Sequence, residues 1–166
     1  MTEDNGRPLM HWPAGFTPER ADCFCHAEAV VAATIDHVFG ALADAEHWPR
    51  WVPDVTAVHG APPPALMRQQ CTFEVRIRGE GFEVLVAEHV APHRLGWTAI
   101  ADELQIYQAW LLAPAAAGTR VTTEVVAIGP AAAAYRESRP SWADGITRRW
   151  LRSLRTLAEN PKRRRA

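Results

Sequence analysis

The chain has 166 residues, of which 48% are apolar and 22% charged, with a formal net charge of −1. That length suits one domain around one core, since domains commonly hold about 100–150 residues, and the near-zero charge selects neither nucleic acid nor an anionic membrane surface. Cys23, Cys25 and Cys71 are too few for a disulfide scaffold and point to reduced thiols in a cytosolic setting. The start "MTEDNGRPLMHWPAGF" holds no apolar leader, and no apolar run approaches the roughly 20 residues of a membrane span.

Residues 1–21 are rich in proline, glycine and charge and are expected to form an extension, with Trp12 folded back onto an apolar surface. "CFCHAEAVVAA" reads as a strand. On that strand Cys23 and Cys25 point one way and His26 the other, so the three do not converge on a metal. Asp36 is read as the N-cap of a helix in which Val38, Phe39, Leu42 and Ala43 recur at helical spacing. "AEHWPRW" continues as a second helical turn, and Pro53 then turns the chain to extended structure. "DVTAVHG", "CTFEVRIRG", "EGFEVLVAEHV", "RLGWTAIA", "LQIYQAWLLA" and "TRVTTEVVAI" follow as strands. In the second of these Cys71, Phe73, Val75 and Ile77 share one face and Thr72, Glu74, Arg76 and Arg78 the other, a half-buried antiparallel pattern. Gly79-Glu80-Gly81 is the expected hairpin to the next strand.

The C-terminus is helical. Pro130 opens one piece, "PAAAAYRES". "SWAD" reads as a loose capping box for a longer helix, whose stripe is Ile146, Trp150, Leu154 and Leu157. Arg148, Arg152 and Arg155 form its solvated face, and residues 161–166 a basic tail with no aromatic to stack bases. A strand, two short helices, a run of antiparallel strands and a closing helix make the class α+β.

Several pieces of this order resemble the START-like superfamily, in particular its polyketide cyclase/dehydrase branch. They are Val38-Phe39, Leu42, Asp44, Trp48 and Trp51, then "APHRLGW" (Ala91 to Trp97), then Gly118-Thr119-Arg120-Val121. The resemblance covers residues 22–160. It implies a helix-grip fold: a curved antiparallel sheet of six or seven strands wraps the terminal helix and leaves an elongated cavity between them. Two short helices plug one end, so that Trp48 and Trp51, one turn apart, seal it. Members run the terminal helix continuously from the Gly-Pro after the last strand. Here Ser138-Arg139-Pro140 interrupts that path, and proline lacks a helix donor and clashes with the preceding turn. A break is therefore expected between Tyr135 and Ser141.

The resemblance also implies a hydrophobic, aromatic or polyketide-like ligand in that cavity. Trp48, Trp51, Phe73, Leu85, Trp97, Tyr107, Trp110, Trp142 and Trp150 are the candidate ligand-binding residues, with Trp142 at the mouth. Opposite parity lets only one of Tyr107 and Trp110 face inward unless a bulge intervenes, and the sequence leaves that choice open. Aromatase/cyclase members carry an inward arginine near the end of the strand that here reads "FEVLVAEHV"; His89 stands at that position, and Val55 where some carry a tyrosine. His89 and Glu83 are the candidate catalytic residues, since imidazole titrates near neutral pH. They lie six residues apart, about 20 Å along a strand, so each would meet a different end of a ligand. The rival register puts Val84, Val86 and Glu88 inside instead. Two function classes follow: a cyclase or dehydratase, or a non-catalytic binding protein such as a carrier, a self-resistance protein or a lipid- or quinone-handling module. No cofactor, metal, nucleic acid or membrane span is expected, and the protein is read as a monomer or homodimer.

Overall fold

The computed structural model describes residues 10–160. In chain order it contains β1 (Cys23–Val31), α1 (Ile35–Ala43), a 3-10 turn at Ala45–Arg50, β2 (Val55–His59), β3 (Thr72–Ile77), β4 (Glu80–Val90), β5 (Arg94–Ile100), β6 (Gln105–Ala115), β7 (Gly118–Ile128), α2 (Pro130–Ser138) and α3 (Trp142–Glu159). The strands form one seven-stranded antiparallel sheet in the order β1-β7-β6-β5-β4-β3-β2. β1 pairs with β7, so the first and last strands are neighbours and the two short helical pieces span the long step from β1 to β2 at the opposite edge. The amphipathic α3 buries Ala143, Thr147, Trp150, Leu151, Leu154 and Ala158, while Arg148, Arg152 and Arg155 stay in water. This is the α+β helix-grip architecture, and no helix among the described residues is long and apolar enough to cross a membrane.

Local chemistry explains where the elements begin and end. α1 is capped two residues before the expected position. Thr34, extended at φ −67° and ψ 152°, is the N-cap, and its Oγ1 accepts from the His37 N–H at 3.3 Å. Asp36 lies in the first turn instead, where a negative charge suits the positive end of the helix dipole. Ile77 pairs with Glu80, so the β3–β4 turn is Arg78-Gly79 rather than Gly79-Glu80-Gly81. Both turn residues have positive φ, +51° and +86°, the conformation of a tight hairpin turn that glycine accommodates without strain.

The closing helix is broken where the proline requires it. α2 ends at Ser138, Arg139 leaves helical geometry at φ −142° and ψ 67°, and α3 begins at Trp142. Tyr135 and Trp142 bridge the break, their rings 4.7 Å apart. Ser141 stands at the N-cap of α3, yet its side chain makes no capping bond because its backbone, at φ −90° and ψ 6°, is not extended. The other member of that expected capping box, Asp144, pairs with Arg148 at 2.9 Å.

The described part of the extension lies on the outer face of the sheet. Trp12 meets Tyr107 and Phe24 edge-on at 5.7 and 6.3 Å, and Phe16 packs on Tyr107. His11 Nδ1 is 2.7 Å from the Glu88 carboxylate. The expected basic tail, 161–166, lies outside the described residues.

Candidate functional site

A cavity of about 240 Å³ lies between the inner face of the sheet and the α2–α3 segment. Its wall is built strand by strand from the pleat. β6 contributes Ile106 and Gln108, β5 contributes Trp97 and Ala99, β4 contributes Phe82 and Val84, and β3 contributes Val75 and Ile77. Each set alternates with residues on the outer face, as a period of two requires. The helical side supplies Tyr135, Trp142, Ile146, Thr147 and Trp150.

Tryptophans close the inner end. Trp48 and Trp97 are 4.8 Å apart, and the Trp150 ring reaches Trp48 at 5.2 Å, Trp51 at 5.7 Å, Trp97 at 5.7 Å and Trp110 at 6.0 Å. Trp48 also meets Phe73 at 5.6 Å, and its indole N–H donates to the Leu42 carbonyl at 3.0 Å. That bond satisfies a carbonyl left over at the end of α1 and fixes the ring as a wedge between α1 and the sheet. The short proline-broken segment after α1 thus places two large aromatics one turn apart at the plugged end.

Four of the candidate ligand-binding residues line the cavity: Trp48, Trp97, Trp142 and Trp150. Trp51, Phe73 and Trp110 are buried behind them as packing. Tyr107 is placed otherwise. Because Gln108 and Trp110 face inward, Tyr107 faces out, where it is 1% exposed beneath Trp12 and Phe16. It lies across Gly96, whose missing side chain makes the room: a Cβ there would come within 2.9 Å of the Tyr107 ring. Burial, and after it the nearby Glu88 carboxylate, push the phenol up to about 12 against the pull of Arg94.

The inward face of β4 differs from the expected one. Val84 and Val86 point in; Glu83 is exposed and Leu85 is half-buried on the outer side. A register shift between Val86 and Glu88 then exchanges the faces. Beyond it His89, opposite Leu95, turns inward and packs edge-on against Phe39 of α1 at 5.4 Å. Glu88 turns outward to His11 and Arg94. Each register was therefore right for one half of the strand. Neither His89 nor Glu83 lines the cavity.

Sequence reasoning passed over the polar lining. At the exposed rim stand Arg78, Glu80 and Arg139. Arg78 donates to Asp54 at 2.7 Å, and Arg149 of α3 reaches the same carboxylate at 2.9 and 3.4 Å. Asp54 is 4% exposed. Burial alone raises its pKa, but the hydrogen bonds from Arg149 and Arg78 outweigh it and hold the carboxyl below the usual range. This triad ties the start of β2, the β3–β4 turn and α3 together beside the rim. Deeper, Gln108 is 5% exposed, and Thr147 is fully buried with its hydroxyl donating to the Ala143 carbonyl. Gln108 was legible in principle, since it is the polar residue on the face that Trp110 occupies. Cys23 and Cys25 face the helices, toward the Ala132 carbonyl and Asp144, with His26 on the other side of β1 beside Glu124. No group of three His, Cys, Asp or Glu among the described residues is arranged to hold a metal.

The profile of the family described as Polyketide cyclase / dehydrase and lipid transport matches residues 25–159. No curated protein matches the chain. Among solved structures, the hypothetical protein jhp0584 from Helicobacter pylori superposes with a TM-score of 0.81 at 24% identity, covering 95% of this chain and 99% of its own. A START superfamily protein from Mycobacterium smegmatis gives 0.62 at 14% identity, covering 82% and 97%. The di-domain ARO/CYC StfQ from the steffimycin biosynthetic pathway gives 0.65 at 16% identity, with 85% of this chain on 53% of that one. At these identities the structural likeness is one of fold.

Proposed function

Given that the chain belongs to the polyketide cyclase / dehydrase and lipid transport family, we propose that it binds a small, largely apolar aromatic molecule in the cavity between α3 and the sheet, as a binding protein without turnover. The observation that carries this reading is the composition of the cavity wall. Its inner end is aromatic, its sides are aliphatic and its charged groups stand at the rim, the usual make-up of a site that recognises shape and excludes water. At about 240 Å³ it sits just under the roughly 300–1,000 Å³ of sites that hold drug-sized ligands, so one or two fused rings match it better than an extended chain.

The same wall favours binding over catalysis. Among the described residues no histidine lines it, and the one lining carboxylate, Glu80, is exposed at the rim. General acid–base catalysis needs a donor and an acceptor within hydrogen-bond reach of the reacting group. Glu83 points to solvent, and His89 is held against Phe39 outside the cavity lining.

Native mass spectrometry of the protein as expressed tests the reading. A small-molecule adduct that survives gentle ionisation and disappears on unfolding is expected. Ala99 is 4% exposed and lines the cavity, so Ala99→Phe grows into it. That variant is expected to lose the adduct while remaining folded, with affinity for an aromatic probe down at least tenfold. An adduct retained by folded Ala99→Phe would place the ligand elsewhere.

A further inference from the structure

The side chain of Gln108 lies deep in the apolar wall with most of its hydrogen-bonding capacity unused. Its Nε2 meets Thr123 Oγ1 at 3.5 Å, a long contact. The Thr123 hydroxyl already donates its proton to the Ala109 carbonyl at 2.9 Å, so toward Gln108 it offers only a lone pair. That fixes the amide orientation: the NH2 end faces Thr123 and Oε1 is the free end. Among the described residues no donor reaches Oε1, and Gln108 lines the cavity at 5% exposure. Trp110, two residues further along the same face, has an indole N–H without an acceptor, but that atom is sealed from the cavity. Gln108 Oε1 is thus the unmet acceptor that a ligand can reach.

An acceptor that a bound ligand seals from water without a donor is costly, and a site that carries one rejects ligands that leave it unpaired. From this unmet acceptor we infer that Gln108 is the specificity residue of the cavity and that it selects a flat aromatic ring bearing a hydroxyl group, whose O–H donates to Oε1 while the ring lies against Trp97 and Trp150. The second N–H of the amide, which Thr123 does not engage, is free to donate to the same hydroxyl oxygen. The inference rests on the cavity being the ligand site, as proposed above, and adds the chemistry of what enters it.

The test is calorimetric titration of the full chain with 2-naphthol and with 2-methoxynaphthalene, which keeps the rings and the oxygen but lacks the donor. The parent is expected to bind 2-naphthol roughly tenfold more tightly, the range of a buried hydrogen bond that only one ligand completes. In Gln108→Leu the two affinities are expected to converge within about twofold through loss of 2-naphthol binding alone. Gln108→Glu, which keeps an acceptor at that place, is expected to retain the preference. Equal affinity of the parent for both probes overturns the inference and leaves the cavity reading standing. A preference that survives in Gln108→Leu assigns the hydroxyl to another group and also overturns it. Failure of the parent to bind either probe overturns the inference together with the reading on which it rests.

Discussion

Trp150→Ala is expected to lower the stability of the fold by about 3–5 kcal/mol, the range for removing a buried tryptophan from a core. The reason is its position. Trp150 is 4% exposed and touches Trp48, Trp51, Trp97 and Trp110, so it holds α3 against both the sheet and the segment after α1. Its loss leaves those rings without a common partner, and four large side chains fixed on three different elements cannot collapse together to fill the space. Against a total stability of about 5–15 kcal/mol the loss is severe, and a fall in Tm of roughly 10 °C is expected for a chain of this size. Trp142→Ala serves as comparison: half-buried at the rim and stacked on Tyr135, it is expected to cost about 1 kcal/mol. Urea unfolding of the three proteins checks both. A loss below about 1 kcal/mol for Trp150→Ala would contradict its place at the centre of the core.

Asp54→Asn is expected to cost about 2 kcal/mol at neutral pH and almost nothing in acid. The carboxylate is 4% exposed and takes hydrogen bonds from two guanidinium groups. Breaking a fully buried ion pair costs about 3–5 kcal/mol because a charge is stranded. Here the side chains of Arg149 and Arg78 are 33% and 57% exposed, so both regain water and the cost is smaller. The pH dependence follows from the direction of the shift. Asp54 titrates below its ordinary value in the folded protein, and the unfolded value is about 3.9. A carboxyl with a depressed folded pKa contributes stability that is fully present above the unfolded value and is lost as pH falls through the folded one. The gap between parent and variant should therefore be largest at pH 7, begin to narrow only below about pH 4, and close as pH falls through the depressed folded value, where the parent's Asp54 takes up a proton and resembles asparagine. Urea midpoints at pH 7, 4 and 3 measure it. A gap that does not change with pH would show that the carboxylate's charge is not what holds the triad.

The fold was legible because its elements carry strong periodic signals. Phe73 and Val75 alternate with exposed Thr72, Glu74 and Arg76, and Trp150 and Leu154 recur at helical spacing on the buried side of α3. Pro140 announced the break between α2 and α3, since proline has the same local effect wherever it stands. The site was less legible, and the reason lies in β4 and β6. On a strand every inward assignment hangs on one parity choice. A single irregularity, such as the one between Val86 and Glu88, reverses that choice midway without any mark in composition. Tyr107 illustrates a second limit. It is as buried as Trp110, but its cover is the extension at Trp12 and Phe16, a contact between residues about 90 positions apart that no local pattern encodes. The Asp54–Arg149 contact, likewise, joins the start of β2 to α3 across 95 positions of sequence.

Ligand is expected to enter the space between α3 and the inner face of the sheet. The chain carries seven tryptophans, each with an indole N–H that reports on its own surroundings. Proton–nitrogen correlation spectra recorded during titration with 2-naphthol measure all of them at once. The signals of Trp97, Trp142 and Trp150 are expected to move in a saturable, concerted way while that of Trp12, on the outer face, stays in place. Movement of Trp12 with those three unchanged would put the ligand on the outer side of the sheet and contradict its entry between α3 and the inner face.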